Sequence, residues 1–301
     1  MKQADILAIP PKVLTQEQRA FYFETGYLML PSFVSDEWLA RLAVVTDRFI
    51  EQSRGLSASD SVFDLEPDHT ADNQRLRRVT FPVEHDPVYE EFGLRGPIVD
   101  IAEDLLGPNV KYHHSKLNFK WADGGEEVKW HQDIQFWPHS NYSPLTIGVY
   151  LEDVDDAMGP MGVIPKSHDG ELFDLYGRDG NWVGAIDDDD LARVPLDEAV
   201  WLKGPRGSVT VHNCRMVHGS MPNNSPRSRP LLLHTYAAAD ALTFQGSVVD
   251  NVPLSNTIVR GEPARWIEFD PRPCLIPPDW SKGYTSIFAL QQEEGAGEAA
   301  Q

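Results

Sequence analysis

Cysteine is almost absent from this chain, which has only Cys214 and Cys274 among its 301 residues. Two cysteines cannot build a disulfide framework, so we expect the fold to form without one. The sequence also has no apolar run long enough to cross a membrane and no signal-peptide pattern. These absences predict a protein of a reducing compartment, the cytoplasm, with no membrane partner.

Basic residues are scarce relative to acidic ones. The chain has 26 Lys and Arg against 46 Asp and Glu, and its net charge is −20. A protein that binds a nucleic-acid backbone or an anionic membrane needs a positive surface. We therefore exclude nucleic acid as the main partner and expect a small-molecule substrate. The charge inside a pocket and the oligomeric state do not follow from this balance.

Apolar residues make up 41% of the chain, which is ample for one large core. No internal repeat is present, so we expect a single domain over residues 1–301. Within it we predict a helical N-terminal part over 14–108, a β core over 109–240, a C-terminal elaboration over 241–291 and a disordered tail over 292–301.

Start and stop signals predict three helices in the N-terminal part. Thr15 is a candidate N-cap for a helix over 16–25. Ser35 opens a second helix, whose apolar residues fall on one face, and a third helix spans 97–106. The adjacent prolines near the start predict an extended lead-in over 1–13.

Two polar stretches lack the periodicity of a helix or a strand. Residues 54–75 predict a loop that either closes over a site or is mobile. Arg75, Arg77 and Arg78 follow at its end, and a solvated basic patch is their simpler interpretation; contact with an anionic substrate is the alternative. The acidic run 187–190 lacks the alternating ligands of a calcium loop, so we expect a solvated loop.

The segment 109–121 predicts a long strand with a polar face that carries His114, Lys116 and Asn118. Composition alone favours a face turned towards water. If the face points inward instead, these three side chains belong to a site, because strand alternation keeps them on one side.

The run Trp130-His131-Gln132-Asp133 places a His and an Asp two residues apart. On a strand that continues through residues 134–137, both side chains point to the same face. His218 follows a second strand-like run, and Arg229 lies eleven residues beyond it. Two His and one carboxylate, with coordination positions left open, form the facial triad of non-haem Fe(II) oxygenases.

This arrangement resembles the phytanoyl-CoA dioxygenase family of Fe(II)/2-oxoglutarate oxygenases. The resemblance rests on His131-x-Asp133, His218 and Arg229 at their spacing. The segment 159–168, GPMGVIPKSH, is similar to the family's element that ends in Pro-Gly-Ser-His, with Lys166 in place of the usual Gly. The resemblance covers roughly residues 14 to 240.

The resemblance implies a mainly β fold with flanking helices and a double-stranded β-helix core, also described as jelly-roll or cupin-like. It implies that His131, Asp133 and His218 bind Fe(II), with 2-oxoglutarate and O2 as cosubstrates. Arg229 would then pair with the distal carboxylate of 2-oxoglutarate, which its planar guanidinium suits. Ser220 would donate its hydroxyl to the same carboxylate.

Further roles follow from the same resemblance. It places Asn118 inward on 2-oxoglutarate, and strand alternation then carries His114 and Lys116 inward near the substrate or cosubstrate. Trp137 occupies a position that walls the substrate pocket in the family, and core packing is the alternative role. Gly148 stands where relatives often carry Trp, so a wider pocket or a different neighbouring side chain is expected.

The implied activity is hydroxylation of an unactivated C–H bond of a small molecule, with release of succinate and CO2. The carboxylate of Asp133 favours this over halogenation, because related halogenases carry a small residue at that position. Oxidative desaturation or cyclisation by the same oxidant is an alternative. A Zn(II) hydrolase with the same ligands and a jelly-roll binding protein without catalysis are others, although a hydrolase leaves Arg229 unexplained.

Overall fold

The computed structural model describes residues 1–122, 124–244, 246–247, 249–280, 287–288 and 290–291. The predicted disordered tail, 292–301, lies outside the described residues. The helices are α1 (Gln3–Ala8), α2 (Gln16–Thr25), α3 (Asp36–Ser53), α4 (Pro87–Arg95), α5 (Ile98–Leu106) and α6 (Asp188–Leu191). The strands are β1 (Tyr27–Leu30), β2 (Phe63–Leu65), β3 (Leu76–Thr80), β4 (Val110–Lys120), β5 (Val128–His131), β6 (Leu145–Tyr150), β7 (Met161–Val163), β8 (Val200–Leu202), β9 (Val209–Asn213), β10 (His218–Ser220), β11 (Arg229–Ala238) and β12 (Ile258–Arg260).

The strands form two antiparallel sheets. The larger has the order β1-β9-β6-β11-β4-β3-β2, and β12 of the C-terminal part pairs with β4. The smaller has the order β5-β10-β7-β8. Side chains from both sheets line one cavity, which therefore lies between them. The expected mainly β fold with a jelly-roll core is confirmed.

The N-terminal helices pack with one face of the larger sheet. Leu42 of α3 and Ile101 of α5 are fully buried, and they belong to the same apolar cluster as Val211 of β9. The predicted caps are present, because the side chains of Thr15 and Ser35 accept hydrogen bonds from the first turns of α2 and α3. One face of the larger sheet is thus covered by helices, and its other face is left for the cavity.

Three features of the N-terminal part differ from expectation. The lead-in over 1–13 contains α1. The carbonyls of Ile6 in this helix and of Ile9 just after it accept hydrogen bonds from Arg19, so a tertiary contact fixes a helix that the prolines did not predict. The predicted loop over 54–75 contains β2, which pairs with β3. Helix α4 was not predicted, although Asp86 caps it and Pro87 occupies its first turn.

Two local predictions in the β core are also wrong. The strand does not continue through 134–137, because Asp133 begins a short 3₁₀ turn that ends at Gln135. The acidic run 187–190 is exposed at its first three residues, as expected, with Asp190 half-buried, but it is not a loop. Asp187 caps the single-turn helix α6 by accepting a hydrogen bond from the backbone N–H of Asp190.

Candidate metal and cosubstrate site

Three side chains converge at the edge of the smaller sheet. His131 ends β5, His218 begins β10, and the two residues are direct partners in the antiparallel pair. Asp133 follows His131 through one extended residue, so its carboxylate returns to the same side. One ligand atom from each residue lies within 4.8 Å of the others, and all three side chains are buried. The three residues that the sequence predicted as metal ligands are brought together.

The two imidazoles are held in the tautomer that a metal needs. His131 Nδ1 lies 2.8 Å from the Lys129 carbonyl oxygen, and His218 Nδ1 lies 2.9 Å from that of Met216. Donation from Nδ1 leaves Nε2 of each ring as the free lone pair. Burial lowers the pKa of His131 to about 4 and that of His218 well below its usual value. Both rings are therefore neutral near pH 7, as metal ligation requires.

The Asp133 carboxylate is oriented from one side. Its Oδ2 accepts a hydrogen bond from Thr146 and lies 3.3 Å from His212 Nε2. Its Oδ1 faces His131 Nε2 at 3.9 Å and Lys116 Nζ at 4.0 Å. Burial alone would raise the pKa of Asp133, but Lys116, His212 and His218 hold it well below its usual range. The carboxylate is thus ionised, with Oδ1 directed towards the metal position.

The residues present fit a divalent iron. Two neutral imidazoles and one carboxylate, with their supporting hydrogen bonds in place, are the donor set of a facial triad. His212 was not singled out as a site residue from the sequence, where it was only the last residue of a strand-like run. Its signal was available, because His212 lies in the strand-like run six residues before His218.

The triad opens into a cavity of about 80 Å³ between the two sheets. The predicted residues Asn118, His114, Trp137, Ser220 and Arg229 all line it. The polar face of β4 therefore points inward, and the outward orientation that composition favoured is wrong. Lys116 shares that face and lines the same cavity.

Arg229 contributes an unsatisfied buried cation. Its side chain is 3% exposed, and its Nε and Nη1 have no hydrogen-bond partner among the described residues. Burial lowers the pKa of Arg229, yet a guanidinium keeps its proton at any physiological pH. A buried charge with free donors is costly unless an anion pairs with it, so this geometry fits a carboxylate ligand.

The arginines after the 54–75 segment are not a solvated patch. Arg77 and Arg78 are buried, and Arg77 forms an ion pair with Asp64 at 2.9 Å. Arg78 lines the cavity, and its Nε donates to Asn118 Oδ1 over 2.8 Å. Arg75 is half-buried and pairs with Glu66. Only Arg78 of the three therefore reaches the site.

The C-terminal part contributes two cavity residues that sequence reasoning did not find. Ile287 and Phe288 are buried and line the cavity. The Phe288 ring lies 5.5 Å from the Arg78 guanidinium carbon. Gln291 anchors this segment, because it accepts a hydrogen bond from the Lys129 backbone N–H and donates one to the Gly184 carbonyl. These contacts join residues more than 100 positions apart, and no local pattern signals them.

The space beside Gly148 is filled rather than open. A Cβ at this position would stand 2.6 Å from Thr210 Oγ1 and 3.2 Å from methyl carbons of Leu231 and Leu233. Of the two expected outcomes, a different side chain in the space is the one observed. Leu231 and Leu233 also line the cavity, so the missing bulk of Gly148 is replaced by its neighbours.

Comparison with known families gives one match that covers most of the chain. The model of the family described as phytanoyl-CoA dioxygenase (PhyH) matches residues 22–231. A relative in Stutzerimonas stutzeri, named probable alpha-ketoglutarate-dependent hypophosphite dioxygenase, is 34% identical over 76% of this chain and 81% of its own. An L-proline trans-4-hydroxylase of Streptomyces griseoviridis is 29% identical over 71% of this chain and 83% of its own.

Solved structures with the same fold include the iron-bound form of EctD from S. alaskensis. It superposes with a TM-score of 0.67 at 23% identity and covers 83% of this chain and 88% of its own. A carbocyclase from nogalamycin biosynthesis, SnoK, superposes with a TM-score of 0.61 at 23% identity, over 81% of this chain and 92% of its own. Among the described residues, no helix is long and apolar enough to span a membrane.

Proposed function

This chain belongs to the phytanoyl-CoA dioxygenase family and is an oxygenase that uses Fe(II), 2-oxoglutarate and O2, and we propose that it hydroxylates a C–H bond of a small molecule with release of succinate and CO2. The observation that carries the proposal is that an intact His131, Asp133 and His218 triad shares one cavity with Arg229, whose Nε and Nη1 have no hydrogen-bond partner among the described residues. A Zn(II) hydrolase or a binding protein needs no such cation.

The proposed roles follow from the positions of the side chains. His131 and His218 offer Nε2 and Asp133 offers Oδ1, which leaves open positions on the ion for 2-oxoglutarate and O2. Bound Fe(II) supplies the activation of O2 and the oxidative decarboxylation of 2-oxoglutarate. Arg229 pairs with the distal carboxylate, and Ser220 on β10 of the smaller sheet donates its hydroxyl to it.

The remaining cavity residues shape and close the reaction space. Asn118, held by Arg78, orients 2-oxoglutarate beside the metal. Trp137 and His114 form the wall where the substrate lies, with ring centroids 5.9 Å apart. Ile287 and Phe288 exclude water from the cavity. No side chain needs to act as a general base, so the protein supplies position, charge and a dry pocket.

Coupled product analysis tests the proposal. With Fe(II), 2-oxoglutarate and a true substrate, succinate and a product heavier by one oxygen atom should form in equal amounts. His131→Ala and His218→Ala should abolish both, because each removes an iron ligand. A product that has lost two hydrogens without gaining oxygen would contradict hydroxylation and would indicate desaturation or cyclisation.

Oxidation of a P–H bond is a second candidate, favoured by one comparison. The relative at 34% identity carries the name probable alpha-ketoglutarate-dependent hypophosphite dioxygenase. Incubation with hypophosphite and detection of phosphite by phosphorus NMR tests this directly. Absence of phosphite under conditions in which 2-oxoglutarate still binds rejects it.

A further inference from the structure

We propose that the substrate of this oxygenase is a small anion, held by the ammonium of Lys116 with Thr80 and Arg78 beside it. The proposal rests on the proposed function and adds the chemical class of the substrate. It concerns a cation that is neither a metal ligand nor part of the Arg229 anchor.

Among the described residues, no carboxylate would remain to pair with the Lys116 ammonium once a metal binds. Its only ion-pair contact among the described residues is Asp133 Oδ1 at 4.0 Å, and its Nζ donates no hydrogen bond to any of them. A metal ion would engage that same carboxylate oxygen and neutralise its charge. The side chain is 21% exposed and lines the cavity, so the ammonium then faces the reaction space without a counter-charge.

Strand register separates Lys116 from the 2-oxoglutarate anchor. Arg229 lies opposite Lys120, at the end of β4, and Lys116 lies four residues further along the strand. At about 3.4 Å per residue, Lys116 and Lys120 are roughly 14 Å apart along β4. A five-carbon diacid that reaches from Arg229 to the triad would pass Asn118 in this interval. Lys116 therefore lies beside the metal position, and His114 lies two residues further from Arg229 along β4, on the side of the cavity proposed for the substrate.

The neighbouring strand supplies further donors. Thr80 of β3 is the direct partner of Lys116, and Arg78 is the partner of Asn118. Arg78 is therefore the diagonal neighbour of Lys116, at a spacing of roughly 7–8 Å that long side chains bridge. Thr80 and Arg78 both line the cavity. An ammonium, a hydroxyl and a guanidinium thus approach one volume from two adjacent strands.

The charge balance of the site with Fe(II) and 2-oxoglutarate bound also favours an anionic substrate. Iron brings two positive charges, and Arg78, Lys116 and Arg229 each add one. Asp133 and the two carboxylates of 2-oxoglutarate supply three negative charges, which leaves a surplus of two positive charges. Because charges in a buried site are costly without compensation, a substrate with one or two negative charges suits the cavity better than a neutral one.

The lining of the cavity also bears on the substrate. 2-Oxoglutarate would occupy the part of the cavity between Arg229 and the triad. Ile287 and Phe288 line the cavity too, so apolar side chains border the space beside Lys116. A short carboxylate or a phosphorus oxyanion would pair with the ammonium there.

Calorimetric titration of the anaerobic protein, loaded with Fe(II) and saturated with 2-oxoglutarate, tests the proposal. The probes are acetate and hypophosphite, with acetamide as the neutral match to acetate. Both anions should bind to the wild type, and acetamide should bind at least tenfold more weakly than acetate. Lys116→Met should weaken anion binding at least tenfold, and Lys116→Arg should retain most of it.

Lys111→Met is the matched control. Lys111 is also a buried lysine of β4, but it donates to Asn256 and does not line the cavity, so this change should leave anion binding unaltered. The visible absorption of the Fe(II)–2-oxoglutarate complex, recorded in parallel, tests the proposed function separately. Equal binding of acetate and acetamide, or unchanged anion binding in Lys116→Met, would overturn the anion site while that band stands. Loss of the band on adding the anion would mean that the anion displaces 2-oxoglutarate from the iron, and it would overturn a separate anion site as well.

Discussion

His212 Nε2 lies 3.3 Å from Asp133 Oδ2, on the side of the carboxylate turned away from Lys116. Thr146 donates to the same oxygen. These two contacts fix the rotation of the carboxylate and leave Oδ1 for the metal. Groups of this kind around metal ligands orient them and raise their affinity.

Replacement of His212 by Ala should therefore weaken metal binding without removing a ligand. We expect a loss of affinity of about 10- to 100-fold, because Asp133 loses one of its two orienting contacts. Titration of the apoprotein with Co(II) or anaerobic Fe(II) measures this. His234→Leu is the control, since His234 is a fully buried histidine outside the cavity. Equal affinities in both variants would contradict an orienting role for His212.

Arg229→Met should raise the 2-oxoglutarate requirement while iron still binds. Loss of one partner of a buried charge pair costs about 2–4 kcal/mol, which corresponds to roughly 30- to 1,000-fold in affinity. Without 2-oxoglutarate, the variant should be at least as stable as the wild type, because it lacks an unpaired buried charge. Arg227→Met is the control, because Arg227 is half exposed and pairs with Asp155 on the surface. An unchanged 2-oxoglutarate affinity in Arg229→Met would rule out the anchor.

Buried histidines should make the apoprotein sensitive to mild acid. Burial lowers the pKa of His139 and His234 to about 3, against about 6.5 in the unfolded chain. The folded state then binds fewer protons, so the stability that these groups contribute is complete above pH 6.5 and is lost as pH falls towards 3. Each should lower the free energy of unfolding by about 1.4 kcal/mol per pH unit in that window.

Thermal unfolding of the metal-free protein between pH 7 and 5 measures this dependence. The free energy of unfolding should fall steeply below pH 6.5, and its slope in His234→Leu should be shallower by about one proton. A wild-type stability that does not change over this range would show that these histidines can be protonated in the folded state.

Gly148→Ala should destabilise the fold. The new Cβ would meet Thr210 Oγ1 at 2.6 Å, and overpacking of this kind costs about 1–3 kcal/mol. Thr210 Oγ1 has no hydrogen-bond partner among the described residues, so Gly148→Ala combined with Thr210→Ala should regain most of the loss. Denaturant unfolding of both single variants and the pair measures the effect. A Gly148→Ala variant as stable as the wild type would mean that Thr210 moves aside freely.

Two of the three triad residues have a local signal, whereas His218 lies 87 residues after His131 and was joined to them by the family resemblance. His131-x-Asp133 lies within three residues, and strand alternation is enough to place His114, Lys116 and Asn118 on one face. Composition did not show that this face points inward, because a polar strand face is turned to water far more often than to a pocket. The family resemblance was needed to predict the inward orientation.

Other parts of the site depend on contacts that no local pattern contains. In the sequence, Arg78 lies in a group of arginines that predicts a surface patch. It reaches the cavity only because its strand pairs with β4, which places Arg78 opposite Asn118. Phe288 reaches the cavity from a segment anchored by Gln291 to Lys129, across 162 positions. Contacts between residues so far apart in the sequence depend on the whole fold, so sequence periodicity does not predict them.

The most direct test of the account is the visible spectrum of the anaerobic Fe(II) protein as 2-oxoglutarate is added. The wild type should develop a weak metal-to-ligand charge-transfer band as the cosubstrate chelates the iron. His218→Ala should show no band because it does not retain iron, and Arg229→Met should show one only at much higher 2-oxoglutarate. Tight iron binding by the wild type with no band at saturating 2-oxoglutarate would contradict the proposed site.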